Sequence, residues 1–148
     1  MKKLFLSLSL MLTVAGTVFA NNKANVNERV EAAFKKEFPG ASLIEWNKPG
    51  EFYKATFMLW DHRTEAYFTE DGQLQGSMRS LFYNQLPLAV MTSIDKRFEG
   101  ADILEVNEIN SAEGTTYSLL LEVNNKKYRV KADASAGITE VKKLKKAA

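Results

Sequence analysis

The stretch FPGASLIEWNK at residues 38–48 returns sixty positions later as FEGADILEVNE at residues 98–108. At that constant offset Val30/Val90, Lys36/Lys96, Phe38/Phe98, Gly40/Gly100, Ala41/Ala101, Glu45/Glu105 and Asn47/Asn107 are identical. Phe34/Ile94, Leu43/Ile103 and Ile44/Leu104 are physically similar. Self-similarity at a fixed period marks a duplicated supersecondary unit. The pattern predicts two tandem repeats, at about 25–80 and 84–144, inside a single domain over residues 21–148.

Each unit opens with a helical stripe. Val26, Val30, Phe34 and Phe38 recur every four residues with Ala33 beside them, and Leu86, Val90, Ile94 and Phe98 do the same. Asn25 with Glu28 reads as a capping box, Pro39-Gly40 as a stop, Pro87 as a first helical residue and Gly100 as an exit. Alternation then takes over. Tyr53, Ala55, Phe57 and Leu59 share one face of a strand, DHRT turns, EAYFT returns, and EDGQ turns again. In the second unit Tyr117, Leu119, Leu121 and Val123 alternate, NNKK turns and KYRVKAD returns. Period-two patterns broken by Asn, Asp and Gly predict an antiparallel meander. The expected fold class is α+β: two tandem helix-plus-four-strand repeats, with the helices packed on one face of an antiparallel sheet.

The N-terminus reads as a signal peptide over residues 1–20. Lys2 and Lys3 precede a short apolar run, and Val18-Phe19-Ala20 suits signal peptidase, so cleavage is expected near Ala20. The run is too short for a stable membrane anchor. Removing Lys2 and Lys3 equalises 20 basic and 18 acidic residues. Without Lys142, Lys143, Lys145 and Lys146 the rest is net acidic, which argues against a nucleic-acid partner. The lysine tail has two readings, contact with an anionic lipid or acidic surface and a solvated terminus, and the second is favoured. With no Cys, the fold must stand on its apolar core in an oxidising compartment, and the length is sufficient for that.

Catalytic chemistry finds little support. His62 is the lone histidine and lies in the predicted WDHRT turn. TEDGQ lacks the alternating acids of a calcium loop. Glu45 and Glu105 occupy equivalent positions, which duplication explains without acid–base work. The expectation is no enzyme activity, no cofactor and no metal.

The helix ending in FPGA (residues 38–41), the strand ending at Trp46, the Tyr53-led strand and the Asp71-Gly72 turn resemble the β-lactamase-inhibitor-like, PepSY-like family. The match spans about 26–144 in two copies, the second departing at Glu99, at Val106 and in ADASAG. The resemblance implies a periplasmic or secreted α+β protein without known catalysis. By analogy with tandem-repeat inhibitor proteins, it also implies an open sheet face that receives a partner protein.

The strand pattern locates that face. Ile44, Trp46, Tyr53, Ala55, Phe57, Leu59, Ala66 and Phe68 should point to the helices, as should Leu104, Val106, Tyr117, Leu119, Leu121, Val123, Tyr128 and Val130. The opposite side should carry Met58, Trp60 and Tyr67, residue types favoured as interface anchors on a face otherwise expected to be polar. Burial of these three under the LFYN connection of Phe82 and Tyr83, or under the N-terminal arm, is the competing expectation. The leading expectation is binding of an unidentified protein, with enzyme inhibition as one form. The alternatives are a small-molecule carrier, holding an apolar ligand against the sheet or between the repeats, and a self-associating envelope component.

Overall fold

The computed structural model describes residues 25–145. The expected signal peptide and Lys146 of the tail lie outside these residues. Helix α1 (Glu28–Glu37) begins at Asn27, whose side-chain oxygen accepts the Val30 N–H at 3.0 Å. Asn27, and not Asn25, is therefore the cap. Acidic Glu28 and Glu31 in the first turn and basic Lys35 and Lys36 in the last complement the helix dipole. Strands β1 (Ser42–Asn47), β2 (Tyr53–Leu59), β3 (His62–Phe68) and β4 (Leu74–Ser80) follow. A 3-10 turn (Tyr83–Gln85) leads to α2 (Leu88–Arg97), which Pro87 precedes as its cap. Strands β5 (Asp102–Ser111), β6 (Gly114–Val123), β7 (Lys126–Asp133) and β8 (Ile138–Lys143) complete the described elements. Both helices close identically: Phe38 and Phe98 donate their backbone N–H groups to Phe34 and Ile94, and Gly40 and Gly100 turn the chain at positive φ.

The expected fold class is corrected here. The strands do not divide into two tandem helix-plus-four-strand repeats; they form a single eight-stranded antiparallel sheet in the order β1 to β8. Two ten-residue helices are small beside it, so the molecule is sheet-dominated. The joining contact is β4 on β5, in register from Gly76↔Ser111 to Ser80↔Asn107. The sequence reads Leu74, Gly76 and Met78 as a strand but does not disclose its partner, since a period-two pattern encodes no pairing and no β4 residue is buried.

Cross-strand register shows that both helices lie on the same face. Ala55, Ala66, Ser77, Asn110 and Thr115 are successive neighbours across β2 to β6. Two hydrophobic clusters occupy that side. Val30 and Phe34 of α1 pack on Tyr53, Ala55, Phe57 and Phe68, and Val90 and Ile94 of α2 pack on Val106, Leu119, Leu121 and Val130. Phe34 meets the Phe57 ring edge-on at 4.9 Å. A polar strip separates the clusters. Arg79 donates to Glu108 at 3.0 Å, and Thr115 donates to Asn110 at 2.6 Å.

Two residues expected in the core lie outside it. Ile44 and Leu104 are 43% and 48% exposed, because both β1 and β5 are bulged at that point. An extra residue in a bulge breaks the period-two alternation that the sequence reading relied on.

Candidate functional site

The sheet face opposite the helices has no described element packed across it. One row of neighbours crosses it from β1 to β7: Glu45, Thr56, Glu65, Met78, Ile109, Thr116 and Asp133. Met78 and Ile109 meet at the midline as a half-buried apolar pair. Leu120, between Glu105 and Arg129, adds a third apolar residue. Alternation in the sequence places Leu120 on this face and Met78 on a strand with Leu74 and Gly76, but the Met78–Ile109 pair goes unseen because it depends on which strand pairs with β4.

Ion pairs frame the apolar centre. Lys54 and Tyr67 each donate to one Glu65 oxygen at 3.2 Å, and Arg63 donates to the other at 3.3 Å. Glu65 is thereby shielded and neutralised. Burial, followed by the charge and the hydrogen bond of Glu65, pushes the Tyr67 phenol above its ordinary value. On the far half, Arg129 at 3.1 Å and Asn107 at 2.6 Å donate to Glu105, and Lys131 pairs with Glu140 at 2.7 Å.

The three predicted anchors do not form one cluster. Met58, opposite Arg63, and Tyr67, opposite Lys54, share the open face, with the Thr56↔Glu65 pair between them. Tyr67 also neighbours Gly76, which offers no side chain to cover its ring. Trp60 is not in a strand. With Asp61 it forms the two-residue β2–β3 turn, both at positive φ, and it is 75% exposed. This is a type I′ geometry, which suits Asn and Gly and is costly for a bulky residue. The equivalent β6–β7 turn uses Asn124-Asn125 at the same conformation.

The LFYN connection does not cover these residues. Tyr83 turns to α2 and donates to Asp95 at 2.6 Å, while Phe82 stays 72% exposed. Phe82 presents an edge to His62 at 6.4 Å, and His62 Nε2 lies 3.3 Å from Gln85 Nε2. His62 opens β3 and has no metal-ligand set around it among the described residues. Glu45 and Glu105 are on strands four apart, roughly 19 Å at sheet spacing, so they cannot act as a carboxylate pair.

No family model and no curated protein matches the chain. Solved structures do share its fold. A BLIP-like protein from Bacteroides fragilis superposes with a TM-score of 0.77 at 20% identity, over 86% of this chain and 92% of that one. A candidate periplasmic protein from Bacteroides eggerthii gives 0.74 at 19%, over 81% and 90%. A DUF2874 family protein from Bacteroides uniformis gives 0.73 at 19%, over 79% and 88%. The chain therefore has a BLIP-like fold. No described helix is long and apolar enough to cross a membrane.

Proposed function

We propose that the chain is a non-catalytic, exported, periplasmic protein that binds another protein through the open face of its sheet, with Met58, Trp60 and Tyr67 among its contacts. The observation that carries this reading is the open face itself: an apolar midline pair, Met78 and Ile109, with Leu120 farther along β6, among satisfied ion pairs. That arrangement matches the apolar core and polar rim of protein interfaces. The costly placement of Trp60 in a positive-φ turn supports the same reading, since an exposed aromatic kept at a strained position needs a use outside the fold. The fold shared with a BLIP-like protein and a candidate periplasmic protein agrees with both the binding role and the address.

The test is a crosslinked pull-down from envelope extract, with residues 21–148 as bait beside a Met58→Ser/Trp60→Ser/Tyr67→Ser variant. A partner recovered by the first and lost by the second is the expected result. Equal recovery would remove these residues from the site. No recovery, together with an unexplained bound mass in a native mass spectrum, would replace the proposal with a small-molecule carrier.

A further inference from the structure

The basic charge of the tail is not isolated in the structure. The β6–β7 turn and the end of β8 meet at one corner of the sheet, where the Leu144 N–H donates to the Lys127 carbonyl at 2.8 Å. An open groove of about 1090 Å³ lies there, lined by Lys126, Lys127, Lys143 and Lys145 with Glu122, Asn125 and Leu144. Two lysine pairs nearly twenty residues apart in sequence are thus brought together.

These lysines differ from the cations of the open face. Lys54, Arg63, Arg129 and Lys131 all sit within 3.3 Å of a carboxylate, whereas none of the four corner lysines pairs with a described one. Glu122, the lone acid in the lining, faces Lys127 across the ladder without an ion pair. The remainder of the molecule is net acidic, and its other basic clusters, Lys35-Lys36 and Lys96-Arg97, lie at the helix ends.

We propose that this corner docks the protein peripherally on an anionic phospholipid surface, its lysines binding headgroup phosphates and Leu144 resting at the headgroup boundary. A membrane fits better than a folded partner because a cluster of long, unpaired lysines needs only a plane of phosphates within about one Debye length, and no complementary shape. The apolar residue amid lysines is the combination that interfacial segments use. A nucleic acid would require a basic track along the body, and the open face is instead internally neutralised.

Vesicle flotation tests the proposal, using the chain without residues 1–20, which keeps every described element. It should float with vesicles containing phosphatidylglycerol and stay behind with phosphatidylcholine alone. Release is expected in 1 M salt, where the Debye length is about 3 Å. Lys126→Gln/Lys127→Gln/Lys143→Gln/Lys145→Gln should lower the bound fraction about tenfold or more. Lys35→Gln/Lys36→Gln/Lys96→Gln/Arg97→Gln removes equal charge from the helix ends and should leave flotation intact. The proposal is overturned by absent flotation, by equal loss in the two variants, or by inorganic phosphate releasing the protein more effectively than chloride at matched ionic strength. The last result would make the corner a free-oxyanion site.

Discussion

Gly72 shows how tightly the β3–β4 turn is seated on α1. A Cβ there would lie 2.9 Å from the Arg29 carbonyl oxygen and 3.4 Å from Ala33 Cβ, at a φ of +83°. Gly40 has a similar φ of +88° and open space around it. Gly72→Ala should therefore cost about 3 kcal/mol and Gly40→Ala about 1, the difference measuring the steric contact alone. Urea denaturation of the two variants checks this. A second residue-level outcome concerns the phenols. Burial raises Tyr67, Tyr83 and Tyr117 in the folded state, with Glu65, Asp95 and Glu108 respectively adding to it. A raised phenol contributes stability that is complete below its unfolded value of about 10 and is lost as pH climbs through the folded one. Phenolate absorbance of the native protein should lag behind that of the urea-unfolded chain above pH 10, and unfolding should accompany the late rise.

Turns and strands divide sharply in how much of them the sequence discloses. The burial of Val30, Phe34, Val90 and Ile94 follows from their helical spacing, and Tyr53 to Leu59 alternate as their pattern requires. The bulged strands escape such reading because an inserted residue is a matter of register, which no local period encodes. Trp60 escapes it too. WDHRT announces a turn, yet only the fold reveals that the turn begins at the tryptophan and leaves His62 in β3. Two chemically unlike pairs, Trp60-Asp61 and Asn124-Asn125, share one conformation. Trp60→Asn should accordingly stabilise the protein by about 1 kcal/mol while weakening partner capture. A thermal melt paired with the pull-down registers both effects, and stabilisation without loss of capture would exclude Trp60 from the interface.

Across the molecule, two hydrophobic clusters share one continuous hydrogen-bonded sheet. The apolar composition of each cluster was legible position by position; their union through β4 and β5 was not, since it is made by backbone pairing and by Arg79 with Glu108. The candidate face was half legible for the same reason. Met58 and Tyr67 stood out by type, whereas Met78 and Ile109 matter only because that seam sets them side by side. Separate clusters predict separable stability. Phe34→Ala should remove about 3–5 kcal/mol from the first cluster and accelerate amide exchange in β2 and β3 far more than in β6 and β7. Uniform acceleration throughout would show that the sheet unfolds as one unit.

The absence of any buried residue in β4 has a mechanical meaning. Each cluster clamps its own strands to a helix and resists bending, like a stiff plate. Between the plates runs a crease held by backbone hydrogen bonds, the Arg79–Glu108 ion pair and the Ser80–Asn107 hydrogen bond, with no buried β4 residue to resist flexure. The compliance of the sheet is therefore concentrated on a single line, and that line passes under Met78 and Ile109. A convex or a flat guest can be met by the same residues at the cost of folding the crease, so the curvature of the face is an adjustable quantity.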